Sequence, residues 1–190
     1  MRKNPKVFKM TLIGVMAALV FVSSMASIPI PISIGDVSRI HLGNIACLLS
    51  GFILGGVGGG LAAGIGSALY DLTNPAYITS APFTFVFKFL MAFICGCIAY
   101  GGGRNALRLS RNITAAILGN LTYVFLYVGK GFLNYIWFLD TELQTALIFS
   151  AEKLAVSMTN LLIACVISVP LALLLKKTLR KAHLDIHPVA

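Results

Sequence analysis

The feature that most constrains this chain is a run of 29 residues, 42–70, without a single charged side chain. Other long apolar runs follow it, and hydrophobic residues make up 58% of the sequence against 11% charged residues. A soluble domain is usually about 45–50% apolar and about 25% charged, so water is a poor solvent for this chain. The composition excludes a soluble enzyme, a disordered protein and a secreted disulfide scaffold. It predicts an integral membrane protein.

The positive charge is concentrated at the ends of the apolar runs. A net charge of +9 would suit nucleic-acid binding, but three short clusters hold 11 of the 15 Lys and Arg residues. Such clusters are typical of cytoplasmic flanks of membrane spans. We therefore expect no nucleic-acid partner and a multi-pass membrane protein in contact with the lipid bilayer. The clusters are Arg2/Lys3/Lys6/Lys9, Arg104/Arg108/Arg111 and Lys176/Lys177/Arg180/Lys181.

The requirement that all basic clusters lie on the same side of the membrane sets the number of spans. One helix over 42–70 would place the Arg104 cluster outside, whereas two helices place all three basic clusters in the cytoplasm. The sequence thus predicts an all-α membrane protein with six transmembrane helices, both termini cytoplasmic, and one membrane domain over 1–190. The expected helices are about 7–29, 42–56, 57–72, 82–103, 112–137 and 143–175, followed by a basic cytoplasmic tail over 176–190.

Helices 2 and 3 are expected to be short. A helix of 15 or 16 residues is about 23 Å long, less than the roughly 30 Å hydrocarbon core. These two helices must therefore pack inside the bundle, or the bilayer must thin around them. Residues 29–41 contain two prolines, a glycine and charged residues, and this composition predicts a loop.

Four charged residues fall within the predicted spans: Lys88, Lys130, Glu152 and Lys153. A charge at mid-bilayer costs at least about 2.5–3.5 kcal/mol, so each needs a partner or a function. Counting along the helices places all four in the outer half of the membrane.

Polar side chains recur at helical spacing near these charges. Helix 5 carries a stripe at steps of three and four, helix 6 repeats the pattern, and Thr84 lies one turn from Lys88 on helix 4. Three such stripes near the outer surface predict a pocket for a small polar or aromatic molecule. The helix 5 stripe is Asn120, Tyr123, Tyr127, Gly131 and Asn134, beside Lys130; helix 6 adds Lys153, Ser157 and Asn160.

An alternative is that these groups serve helix packing alone. Glu152 could pair with Lys88 or Lys130, and the tyrosines and asparagines could join helix to helix. In the pocket interpretation the lysines outnumber the acids even when Asp71 is counted, which favours a ligand that is rich in acceptors or negatively charged. His41 is interpreted as a solvated loop histidine, with ligand contact as the other possibility.

Helix 1 carries a small-xxx-small pair, Gly14 and Ala18, with Ala17 beside it. Such a pair predicts close packing against another helix, either internal or in another protein. The glycine-rich run near residues 55–64 lacks a following Gly-Lys-Ser/Thr, so a nucleotide site is not expected. We find no catalytic set and no metal-ligand pattern, and we predict neither an enzyme nor a cofactor or metal.

The order of these features resembles the substrate-binding S components of energy-coupling-factor (ECF) vitamin transporters, particularly the riboflavin-transporter-like group. The resemblance covers most of the chain. It is carried by KMTLIGVMAALV, HLGNIACLLSGFILGGVGGGLAAGIGSALYDL and APFTFVFKFLMAFICGCIAY.

This resemblance implies a subunit of the bacterial cell membrane that captures a vitamin outside and docks on a module of a transmembrane coupling subunit and two ATPases. Gly14, Ala17 and Ala18 would then contact the coupling subunit. The outer loops 30–41 and 73–81 would cap the ligand, which adds Asp36 and Arg39 to the candidate binding residues.

Riboflavin is the first expected ligand, and pyridoxine, a pyrimidine or thiamin precursor and a cobalamin-type molecule are the others. The alternative functions are a self-sufficient small permease and a membrane scaffold protein without a transported ligand.

Overall fold

The computed structural model describes residues 5–31, 37–103, 105–137 and 139–181. Six α-helices form a bundle, so the all-α class is confirmed for the bundle itself. Four helices are long and apolar enough to cross a membrane, namely α1, α5, α6 and α4 with the 3-10 turn before it. The helices are α1 (Pro5–Met25), α2 (Gly43–Leu54), α3 (Gly56–Thr73), α4 (Ala81–Tyr100), α5 (Leu109–Trp137) and α6 (Leu143–Lys181).

The uncharged run 42–70 is divided between α2 and α3, as the charge pattern predicts. The break lies at Gly55, whose φ of +81° is in the left-handed region that glycine adopts at no steric cost. Every residue of α2 is buried. With 12 residues α2 is about 18 Å long, too short to span the hydrocarbon core, and it packs between α1, α3, α4 and α6.

The segment between α1 and α2 is the clearest difference from expectation. Helix 1 was expected to reach residue 29 and a loop to follow; instead α1 ends at Met25 and two antiparallel strands follow. These are β1 (Ser27–Pro31) and β2 (Val37–His41), with Ser27 opposite His41 and Pro31 opposite Val37. In a two-stranded sheet each strand is an edge, so its prolines can direct their missing N–H away from the partner.

Helix α6 is longer than predicted. It continues to Lys181, so the first six residues of the expected tail are helical. Lys176 donates a hydrogen bond to the Tyr100 hydroxyl, which donates to the Phe52 carbonyl over 2.9 Å. These contacts bring the ends of α2, α4 and α6 together. We call this the basic end of the bundle. The residues that follow Tyr100 and Lys176 in sequence include four exposed cations, Arg108, Lys177, Arg180 and Lys181.

The half of the bundle next to the basic end is tightly packed. Buried alanines and glycines of α4, α5 and α6 let the helix backbones approach closely. A Cβ added at Gly119 of α5 would lie 2.6 Å from the Met91 carbonyl oxygen of α4, and one added at Gly51 of α2 would lie 2.6 Å from that of Ala92. Asn120, the first residue of the predicted stripe, is buried here and donates to Cys165 Sγ.

Candidate ligand-binding site

The other end of the bundle encloses a cavity of about 950 Å³. We call it the cavity end; β2 lies there, together with the link 74–80 between α3 and α4. Such a volume suits a small molecule the size of a vitamin or cofactor. The lining comes from β2, the ends of α1 and α3, the link 74–80, and α4, α5 and α6.

Eleven of the thirteen predicted binding residues line this one cavity, although they come from four separate elements. Glu152 is half-buried and lies outside the lining. Asp36 lies outside the described residues. The lining members are Arg39 from β2, Thr84 and Lys88 from α4, Tyr123, Tyr127, Lys130, Gly131 and Asn134 from α5, and Lys153, Ser157 and Asn160 from α6.

Lys88 lies at the buried side of the cavity and is 3% exposed. Its ammonium donates a hydrogen bond to Asn44 Oδ1 and lies 3.6 Å from the centre of the Tyr123 ring. The amide oxygen and the negative face of the ring both stabilise the cation. Asn44 is not among the predicted binding residues, although a polar amide among the apolar residues of α2 indicates a specific partner.

The tyrosine stripe forms an aromatic wall. The Tyr123 and Tyr127 rings are nearly parallel, at 16°, with centroids 5.6 Å apart. The Lys153 ammonium lies 5.4 Å from the Tyr127 ring centre and 5.0 Å from that of Tyr135. A Cβ added at Gly131 would lie only 3.3 Å from Lys153 Nζ, so this glycine makes room for the lysine against the backbone of α5.

Lys130 joins α5 to the start of α4. Its ammonium donates to Ser80 Oγ over 2.9 Å and lies 4.5 Å from the centre of the Phe83 ring. Phe83, Phe87 and Trp137 also line the cavity, and none of the three was predicted. They are ordinary apolar residues of membrane helices, so only their place in the bundle marks them.

Arg39 of β2 contacts three side chains of α3 and the link that follows it. Its guanidinium carbon lies 3.7 Å from the ring centre of Tyr77 and 5.0 Å from that of Tyr70. One guanidinium nitrogen donates to Asp71 Oδ1 over 3.3 Å, in an ion pair whose side chains are 18% and 5% exposed. Tyr70 and Tyr77 were not predicted, because their role depends on an arginine over thirty residues away.

Asn160 of α6 contacts the backbone of β2 with both ends of its side-chain amide. Its Oδ1 accepts from the His41 N–H over 3.1 Å, and its Nδ2 donates to the Arg39 carbonyl over 2.6 Å. This amide is 6% exposed and belongs to the helix 6 stripe that the sequence predicts. These two hydrogen bonds hold β2 against α6.

His41 is half-buried and lines the cavity, so it lies in the cavity wall and not in the solvated loop that the sequence favoured. Burial, assisted by the positive charges of Lys88 and Arg39, lowers the pKa of His41 well below its usual value of 6.5, and the imidazole is neutral. Its Nδ1 atom has no hydrogen-bond partner among the described residues. The sequence does not predict the pairing of β2 with β1, which places His41 against α6.

The lining carries more positive than negative charge. Four cationic side chains, of Arg39, Lys88, Lys130 and Lys153, line the cavity, and Asp71 is the one carboxylate among the described lining residues. The aromatic wall supplies flat apolar surface, and the ammonium groups supply hydrogen-bond donors. The site can therefore hold a flat ring system that carries several acceptor atoms.

The predicted docking residues of helix 1 divide between two faces. Gly14 and Ala18 are exposed on the outside of α1, and a Cβ added at Gly14 would meet no described residue within 4 Å. Ala17 is 6% exposed, and its carbonyl lies against Gly66 of α3. The small residues that remain accessible to another protein are Gly14 and Ala18.

The chain matches a protein-family model and is similar to another protein. The family model described as "ECF-type riboflavin transporter, S component" matches residues 4–177. A Pyrococcus woesei protein described as "Uncharacterized protein in gap 3'region" is 30% identical over 118 residues, which make up 62% of this chain and 74% of that protein. The family match spans all six helices of the bundle, up to the last residues of α6.

Proposed function

Since the chain belongs to the family of ECF-type riboflavin transporter S components, a family of vitamin-transporter membrane proteins, we propose that it captures riboflavin at the cavity end. The observation that carries the proposal is the cavity itself. Its lining joins a stacked tyrosine pair to several cationic donors. Riboflavin combines a flat aromatic ring system with carbonyl and ring-nitrogen acceptors, so its chemistry is complementary to this lining.

The aromatic and cationic groups have separate roles in this proposal. The stacked rings of Tyr123 and Tyr127 offer a flat surface to the ligand ring system. Lys88 and Lys153 offer charge-assisted hydrogen bonds to its acceptors. The wall is completed by Thr84, Gly131, Asn134 and Ser157. Arg39 of β2 also lines the cavity.

We further propose that all six helices lie in the membrane as a single domain, with the basic end in the cytoplasm. The exposed cations Arg108, Lys177, Arg180 and Lys181 support this orientation through the positive-inside rule. With both chain ends then cytoplasmic, the cavity opens to the outside of the cell membrane. A ligand could enter it without crossing the packed half.

Import then requires partners that use ATP. We propose that the protein docks on an ECF module of a transmembrane coupling subunit and two ATPases, through the exposed face of α1 at Gly14 and Ala18. Small residues let two helix backbones approach closely, and this face of α1 is open.

The first test is mass spectrometry of small molecules released from the detergent-purified protein. Riboflavin released near one molecule per chain is the expected result. A different vitamin would replace riboflavin but keep the capture function. An empty protein that also fails to bind added riboflavin, and that captures no ATPase partners, would favour the scaffold alternative.

A lysine variant tests the place of binding. We expect Lys153→Met to weaken riboflavin binding by about ten- to a hundredfold, the loss typical of a hydrogen bond to a charged group. Lys177→Met is the matched control, because Lys177 lies on the same helix but is exposed at the basic end. Unchanged affinity in Lys153→Met, measured by quenching of riboflavin fluorescence, would contradict the proposed site.

A further inference from the structure

Two segments that are distant in sequence meet at Arg39. The residue belongs to β2, whereas Tyr77 belongs to the link 74–80 between α3 and α4. The guanidinium stacks on the Tyr77 ring at 3.7 Å and pairs with Asp71 at the end of α3. A stacked and paired guanidinium has few alternative positions, because its planar geometry must satisfy both partners at once. Arg39 thus joins β2 to the link 74–80.

The position of Arg39 depends in turn on the backbone of β2. The Arg39 carbonyl and the His41 N–H are two residues apart, so they point to the same edge of the strand. Arg39 lies opposite Pro29 of β1, which has no N–H, so this is a non-hydrogen-bonded pair and the Arg39 carbonyl faces away from β1. The Asn160 amide occupies this edge, where it bonds to the Arg39 carbonyl and the His41 N–H as a neighbouring strand would.

We propose that Asn160 is a positioning residue for ligand capture. Its amide fixes the free edge of β2 to α6 and thereby holds Arg39 where the guanidinium joins β2 to the link 74–80 at the cavity end. This inference rests on the proposed function, since it takes the cavity as the ligand site. It gives Asn160 a different role from the direct ligand contact that its place in the helix 6 stripe predicts.

This role has a kinetic consequence. When β2 and the link 74–80 are joined above the cavity, a bound molecule can leave only after that junction opens. Loss of the Asn160 amide raises the open fraction of ligand-free and ligand-bound protein alike. Because the ligand enters and leaves through the same opening, association and dissociation should both speed up, and the affinity should change little.

The first experiment is hydrogen–deuterium exchange of the ligand-free protein in detergent. We expect Asn160→Ala to speed exchange about tenfold in peptides covering both 37–41 and 74–80, since two hydrogen bonds are lost. Thr159→Ala is the matched control: Thr159 is exposed on the same turn, and its hydroxyl donates to the Ala155 carbonyl of its own helix. Exchange at the control rate in both peptides would overturn the proposal.

Asn160→Asp provides a second variant if the alanine variant does not accumulate in folded form. The carboxylate can still accept from the His41 N–H, but it presents an acceptor where the Arg39 carbonyl needs a donor. We expect faster exchange at 37–41 and 74–80 in this variant too. Unchanged exchange there would again overturn the positioning role.

The second experiment measures riboflavin kinetics by stopped-flow fluorescence. We expect Asn160→Ala to raise the dissociation and association rates together, each about tenfold, so that the affinity changes less than about threefold. Arg39→Lys should reproduce most of this effect, because lysine keeps the charge beside Asp71 but loses the planar stack on Tyr77. Weaker binding with unchanged exchange would assign Asn160 to direct ligand contact and overturn the proposal.

The two experiments separate the failure of this inference from that of the proposed function. The exchange measurement uses no ligand, so it decides the link from Asn160 to Arg39 whatever molecule the cavity binds. If the unaltered protein does not bind riboflavin, the assignment of that ligand fails while the exchange result stands.

Discussion

The two halves of α5 differ in how closely other elements pack against the helix. In its first half Ala115, Ala116 and Gly119 are buried, and the backbone of α4 lies directly against the last of these. In its second half the helix lines the cavity, and a Cβ added at Gly129 would meet nothing within 4 Å in the part of the chain that the structure describes. The helix is thus a packing element along one half and part of a binding wall along the other.

This difference shows that glycine has two different structural roles along α5. In the packed half it brings two backbones together, whereas Gly131 in the cavity half makes room for one side chain, that of Lys153. Membrane helices are held together largely by such close packing, so the first role concerns folding. The second role concerns how a charge is presented to a ligand.

The largest expected effect comes from the same substitution in both halves. Gly119→Ala places a methyl group against the Met91 carbonyl, and we expect it to lower the free energy of unfolding by about 1–3 kcal/mol. Gly129→Ala should leave stability unchanged or raise it slightly, because alanine favours helix. Thermal unfolding in detergent, followed by size-exclusion chromatography, measures both variants. Equal stability would contradict the division of α5 into two halves.

The next effect concerns a glycine outside both halves, on the exposed face of α1. We expect Gly14→Leu to reduce riboflavin uptake by cells about tenfold or more, since the side chain would hold two packed backbones apart. Folding and riboflavin binding should be unaffected, because Gly14 is exposed and a Cβ there meets nothing within 4 Å among the described residues. Leu162→Phe, enlarged at an exposed position of α6, is the control. Lost binding in Gly14→Leu would count against docking.

A smaller effect tests the role of Gly131. We expect Gly131→Ala to weaken riboflavin binding by about three- to tenfold, because the methyl group displaces the Lys153 side chain. The same substitution made together with Lys153→Met should then cost almost nothing more. A double-mutant cycle measures this coupling. Additive losses would mean that Gly131 acts on the ligand and not through Lys153.

The smallest effect is a pH dependence. Because the folded-state pKa of His41 is lowered, the unfolded chain binds a proton below about pH 6.5 that the folded chain excludes. Stability should therefore fall as the pH drops from about 7.5 to about 5, with a slope of at most about 1.4 kcal/mol per pH unit from this group. His41→Gln should remove that part of the slope in thermal melts. An identical slope in the variant would contradict the lowered pKa of His41.

Much of the candidate lining could be predicted because helical periodicity is local. Tyr123, Tyr127 and Gly131 share a face of α5 at any position of that helix in the bundle. The strands β1 and β2 escaped prediction because prolines and charges are typical of loops as well as of short edge strands. The environment of Glu152 could not be predicted, since periodicity does not say which way a helix turns toward a cavity.

The sequence by itself determined that this protein is a membrane protein built from apolar helices, and it determined which polar faces three of those helices carry. Composition and periodicity suffice for this, because they act over single turns and single runs. Only the tertiary structure decided that Lys88 meets Asn44, that Arg39 stacks on Tyr77, and that Asn160 holds a strand about 120 residues away. These contacts join residues far apart in the chain, and packing of the whole bundle sets their distances.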